Sequence, residues 1–94
     1  MNNIRFIWDG SKASLNKRKH GISFEEAQTV FYDENAIEYF DPEHSEDEDR
    51  FIMLGFSFKL RMLVVCYCTR TENTIRIISA RKATRHEAKN YRKG

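Results

Sequence analysis

The chain has 94 residues, 40% of them hydrophobic, with seven Phe, four Tyr and one Trp but only four Gly and one Pro; this excludes a disordered chain and supplies one small core rather than two. No apolar run reaches the roughly 20 residues that cross a bilayer, and the opening MNNIRFIWDGSK lacks the apolar segment of a signal peptide, so a single cytoplasmic domain over residues 1–94, away from membranes, is expected. The net charge of +2 hides a segregation: residues 1–20 hold five basic and one acidic side chain, residues 21–49 eleven acidic and none basic, residues 50–94 eleven basic and two acidic, so an anion-binding face has to come from the chain ends and the later strands.

In chain order, IRFIWD (residues 4–9) reads as a short strand, and Asp9, Gly10 and Ser11 give the turn and N-cap of a helix over residues 12–20, which Gly21 ends in the left-handed C′ position. Ser23 and Glu26 form a capping-box pattern for a second helix over 24–32, with Phe24, Ala27, Val30 and Phe31 as its apolar stripe. AIEYF (36–40) alternates like a strand and runs into DPEHSEDED, an acidic turn or solvated loop. RFIMLGFS (50–57) and RMLVVCYCT (61–69) are two strands joined around Phe58 and Lys59; the second is apolar on both faces, as a central strand is. TIRIIS (74–79) follows a turn at 71–73, and the T-x-x-E spacing of Thr84 and Glu87 starts a last helix over 85–92. The order β-α-α-β-β-β-β-α, with short links between the later strands, predicts an α+β fold built on an antiparallel sheet. Cys66 and Cys68, two apart on one strand, share a face at a separation that disfavours a disulfide. Neither they nor His20, His44 and His86 have zinc-ligand spacing, so no metal or cofactor is expected.

The side chains that carry chemistry concentrate late in the chain. With Thr84 as N-cap, the free amides of the last helix open beside Arg81, Lys82 and Arg85, an arrangement that attracts phosphate. Arg85, Lys89 and Arg92 also share one helix face and read equally well as solvated charges. Arg76 interrupts an apolar strand on the face opposite Ile75 and Ile77, where a charge either snorkels at an edge or points into a polar concavity. Arg61 and Arg70 bracket the neighbouring strand, so Arg61, Arg70, Arg76 and Arg81 are expected along one sheet face or its rim, Arg61 near Arg81, with Tyr67 and Tyr91 as stacking partners for nucleic acid. Cleavage of RNA through the ribose 2′-OH needs a proton acceptor, cations for the phosphorane and a proton donor. Lys19, His20, His86, Glu87 and Tyr91 are of suitable types, and each has a plainer reading: Glu87 completes a capping box, Tyr91 packs on the sheet, His20 ends a helix beside Gly21.

Three stretches, FIWDGSKASLNKRKHGISFEEAQTVFYD, LGFSFKLRMLVVCYCTR and IRIISARKATRHEAKNY, carry the elements W-D-x-x-K-A, N-x-x-K-H-G-[IV]-x-F-x-E-A, R-I-I-S-A-R-x-A and E-x-x-x-Y. In this order the chain resembles the BrnT family of type II toxin–antitoxin toxins along nearly its whole length. The resemblance implies a RelE-like fold and a metal-independent endoribonuclease that cleaves RNA and inhibits translation. It also implies neutralisation by a BrnA-type antitoxin with a ribbon-helix-helix part, and operator DNA bound through that antitoxin. By the same resemblance Arg61 and Arg81 hold the scissile phosphate, Glu87, Lys19 or His20 transfers protons, Arg70, Arg76, Lys82, Arg85 and Tyr91 hold RNA, and Trp8, Phe24, Phe31 and Ile78 belong to the core. The turn SFKLR before Arg61 departs from the family in lacking a glycine often found there. A non-catalytic nucleic-acid-binding module or a protein-interaction subunit would use the same basic surface, and the readings separate on whether RNA is cut or only bound.

Overall fold

Asp9 starts the first helix: its Oδ1 accepts from the backbone N–H groups of Ser11 and Lys12 at 2.7 and 3.2 Å. In the computed structural model, which describes residues 3–93 with side chains as far as Tyr91, so that the Arg92 side chain lies outside it, this helix, α1, spans Gly10–His20. Gly21, at φ 74°, closes it by donating to Lys17 O at 2.8 Å, and Lys17, Arg18, Lys19 and His20 fill its last turn, where the helix dipole favours cations. The second helix, α2, spans Phe24–Gln28 from a Ser23 cap and tightens into a 3-10 turn over Thr29–Tyr32, within the predicted 24–32.

The strands are β1 (Arg5–Ile7), β2 (Ile37–Phe40), β3 (Arg50–Phe56), β4 (Met62–Thr71) and β5 (Thr74–Lys82), followed by helix α3 (Arg85–Lys93). They form one mixed sheet in the order β1-β5-β4-β3-β2. The last four strands pair antiparallel with one another, as predicted. β1 differs, pairing parallel to β5 with Ile7 opposite Arg76, a contact so distant in sequence that no local signal carries it.

α1 and α2 cover one face. Ile22, Phe24, Ala27 and Val30 meet Leu63, Val65, Ile77 and Ala80, all at most 1% exposed, with Phe6, Trp8 and Phe31 packed around them. At about 1.5–3 kcal/mol for each fully buried large apolar side chain, this face holds the fold together. The other face buries Leu54, Val64 and Cys68. α3 lies at one end of that face, where the rings of Tyr91 and Phe56 meet edge-on at 5.2 Å, and the acidic loop of residues 41–49 reaches the other end through Glu48.

Candidate functional site

A β-bulge decides what β5 presents. Cys66 pairs with Ser79 but Tyr67 with Ile77, so Ile78 is an extra residue. Residues five apart on a regular strand face opposite ways. The bulge instead brings Arg76, opposite Cys68, and Arg81, opposite Val64, to the same face, the one away from α1 and α2. It also keeps Ile77 and Ala80, three apart, in one core. Ile78, assigned by the sequence to the core, is the bulged residue and is only half-buried, at the wall of a cleft.

The ends of this face carry different ion pairs. At one end Arg70 Nη1 and Arg76 Nη1 lie 3.4 and 3.7 Å from the Glu48 carboxylate. At the other, Arg81 grips Glu87 in a fork, Nη1 to Oε1 at 2.9 Å and Nη2 to Oε2 at 2.8 Å. Glu87 Oε1 also accepts the Thr84 N–H at 2.8 Å while Thr84 Oγ1 accepts the Glu87 N–H at 3.1 Å, completing the predicted capping box. The Arg81 guanidinium holds the Glu87 carboxyl down to about 2, against the cost of burial and with help from the Thr84 N–H. Near neutral pH Glu87 is therefore a fixed anion that positions Arg81 and a poor proton acceptor. The same contacts bring a carboxylate to the helix start that the sequence opens to phosphate, while Lys82 and Arg85 stay exposed beside it.

Arg61 stands apart from the other arginines. The sequence places it next to Arg81 on a common face; in the structure its guanidinium turns to the helical side and grips Glu26 of α2, Nε to Oε2 at 2.9 Å and Nη2 to Oε1. Glu26 is 1% exposed, and Ser57 Oγ donates to it at 2.6 Å. Arg61 holds the Glu26 carboxyl below the usual carboxylate range against the opposing effect of burial. A buried carboxylate needs this cation to stay folded, so Arg61 is anchored on the wrong side of the sheet to share a phosphate with Arg81. Glu26 reads in the sequence as half of a capping box, and only the other half forms, Ser23 Oγ accepting the Glu26 N–H at 3.0 Å; its position in the motif between Phe24 and Ala27 was the one available signal.

The tyrosines are also engaged. Tyr91 OH donates to Asp33 Oδ2 at 2.8 Å, and Asp33 accepts the Phe56 N–H as well, so Tyr91 latches α3 to the loop after α2. Tyr67 is 1% exposed, packed on Phe31 and Phe51, with its hydroxyl bonded to Glu38. Both rings are packed within the protein rather than presented for stacking on a base.

At the open edge of β5, beyond the reach of β1, Asn16 fastens α1 in place. Its Nδ2 donates to Ile22 O and Ala80 O at 2.9 and 2.8 Å, and its Oδ1 accepts the Ala80 N–H at 3.1 Å. One turn further, Lys19 and His20 are exposed and line, with Lys12, Leu15, Ile78 and Ser79, a cleft of about 180 Å³ beside the stretch of β5 between Arg76 and Arg81. Neither Lys19 nor His20 has a hydrogen-bond or ion-pair partner among the described residues. His86 is exposed on α3. Among the described residues the one grouping of potential metal ligands is Asp41, Glu43 and His44 in the acidic loop, with His44 Nδ1 2.9 Å from Asp41 Oδ2; Glu43 and His44 line a cleft together with Glu48 and Arg50.

A family model described as the ribonuclease toxin, BrnT, of type II toxin–antitoxin systems matches residues 8–87. The 1.1 Å crystal structure of the Brucella abortus ribonuclease toxin, BrnT, has a similar fold, with a TM-score of 0.67 at 23% identity over 87% of this chain and 99% of that one. No curated protein matches the sequence.

Proposed function

The chain belongs to the BrnT family of ribonuclease toxins of type II toxin–antitoxin systems, and from that premise we propose that it is an endoribonuclease that cuts RNA through the ribose 2′-oxygen, with its own cations in place of a metal. The observation that carries this reading is the bulge at Ile78, which sets Arg76 and Arg81 on one face of β5 while Lys19 and His20 flank the same strand at its open edge.

The scissile phosphate binds at Arg81, whose fork with Glu87 fixes its orientation before substrate arrives. His20 takes the proton from the 2′-hydroxyl, an imidazole being suited to gain and lose a proton near neutral pH. The 2′-oxygen attacks phosphorus, Arg81 neutralises the charge that builds on the phosphorane, and the 5′-oxygen leaves with a proton from Lys19. The products carry a 2′,3′-cyclic phosphate and a 5′-hydroxyl. Arg70 and Arg76 hold the backbone at the far end of the face, and Lys82 and Arg85 add attraction that falls as salt rises. Cleavage in the cytoplasm then inhibits translation, and a BrnA-type ribbon-helix-helix antitoxin neutralises the toxin and carries the pair to operator DNA.

The test is incubation of the purified toxin, free of antitoxin, with RNA in EDTA, followed by mass analysis of the new ends. Cyclic phosphate ends that disappear with His20→Gln support the mechanism. Binding without cleavage would make the chain a nucleic-acid-binding module, and cleavage only after a divalent ion is restored would refute the metal-free chemistry.

A further inference from the structure

Arg50, Cys68 and Arg76 stand side by side on three adjacent strands, β3, β4 and β5, and Arg70, at a second slip in the β4–β5 register between Thr69 and Thr71, shares the Glu48 carboxylate with Arg76. Neighbouring strands are about 4.8 Å apart, so the sheet register gathers three guanidiniums within roughly 10 Å, over a Cys68 that is 0% exposed. The group that faces them comes from the loop of residues 41–49. Glu48 Oε1 lies 3.4 Å from Arg70 Nη1, and Oε2 lies 3.7 Å from Arg76 Nη1 and 3.9 Å from Arg50 Nη2. One carboxylate thus answers three cations, at separations longer than the roughly 2.7–2.9 Å of a charge-assisted hydrogen bond. The buried Nε of Arg50 has no hydrogen-bond partner among the described residues. Among the ion-paired side chains three guanidiniums share one carboxylate, and one buried donor is unused, while Glu43, Glu46 and Asp47 line the cleft beside them.

The loop itself resembles a short polyanion, with Asp41, Glu43, Glu46, Asp47, Glu48 and Asp49 in nine residues. The face it reaches continues along β5 from Arg76 to Arg81, a path of roughly 16 Å at strand rise. Regularly spaced backbone phosphates suit such a path better than an isolated carboxylate does. Resting on the ribonuclease reading, we propose that Arg50, Arg70 and Arg76 form a second backbone-phosphate subsite for single-stranded RNA, and that Glu48 fills it in the free protein as an internal competitor that RNA displaces.

Fluorescence anisotropy with a labelled 2′-O-methyl RNA, which cannot be cut through its 2′-oxygen, tests this on wild type, Glu48→Gln, Arg76→Gln and the double variant, with melting temperatures to establish folding. Glu48→Gln should tighten binding about tenfold. Adding Arg76→Gln should cancel that gain and lower the slope of log affinity against log salt by about 0.7. Should Glu48→Gln not fold, Arg50→Gln, which leaves Glu48 its other two partners, should weaken binding severalfold. Unchanged or weaker binding by a folded Glu48→Gln overturns the subsite, as does wild-type binding by Arg50→Gln. A gain for an aspartate-rich peptide without one for RNA also overturns it and assigns the patch to an acidic protein. Cleavage of unmodified RNA is followed in parallel. Tighter binding with no cleavage by any protein refutes the nuclease reading and leaves the subsite standing, whereas cleavage with unaltered binding refutes the subsite alone.

Discussion

Arg61 and Arg81 read alike in the sequence, each a basic residue at a strand end, and burial of the partner carboxylate separates them. Glu26 is 1% exposed while the Glu87 side chain is 32% exposed, so removing Arg61 strands a charge inside the protein and removing Arg81 leaves one that water can solvate. Arg61→Ala should lower the melting temperature by on the order of 10 °C, whereas Arg81→Ala should stay within a few degrees of wild type by circular dichroism. A small change in Arg61→Ala would return that residue to the candidates for RNA contact. Glu87 gives a matching pH signature. Its carboxyl titrates at about 2 rather than the usual 4.5, chiefly through Arg81. A depressed folded value stabilises fully above the unfolded one and is lost as pH falls from about 4.5 toward 2. Wild type should therefore lose more melting temperature across that window than Glu87→Gln; parallel curves would show that the pair does not stabilise the fold.

Among the elements, those announced by local chemistry were readable. Asp9 and Ser23 cap their helices, Gly21 ends α1, and Thr84 with Glu87 opens α3. The parallel pairing of β1 and the bulge at Ile78 were not, because each depends on a distant strand and nothing in TIRIISARK marks the extra residue. The missing glycine in SFKLR was a legible oddity with a physical counterpart. Leu60 sits at φ 61° in the turn that joins β3 and β4, 80% exposed, with its N–H bonded to Ser57 O at 2.8 Å. A left-handed leucine costs about 1–2 kcal/mol that glycine avoids, partly offset by the freer unfolded chain. Leu60→Gly should raise stability by up to about 1 kcal/mol in urea titration, and a loss would mean that the Leu60 side chain makes a contact worth more than the strain. Tyr91→Phe, which removes the α3 latch to Asp33, should cost about 1 kcal/mol in the same assay, and no cost would show α3 to be held by the Arg81–Glu87 fork and the ring contact with Phe56 without that bond.

Across the whole molecule, the charge blocks that are separate in sequence interlock in space. The acidic middle segment sends Glu26 to Arg61 and Glu48 to Arg50, Arg70 and Arg76. The sequence predicts DPEHSEDED as solvated loop, and its long-range anchoring escaped prediction because it rests on the register of three strands rather than on any motif. Between the bulge and Arg81 the strand is half-buried apart from the fully buried Ala80, and Lys19 and His20 share a cleft with Ile78 and Ser79; this is the stretch to which the proposed mechanism assigns RNA chemistry. The most direct test is single-turnover cleavage of one RNA in EDTA by wild type and Arg81→Ala at equal folded fraction. The rate should fall about 10²–10³-fold with the melting temperature nearly unchanged; equal rates from a folded Arg81→Ala would contradict the assignment of Arg81 to the scissile phosphate.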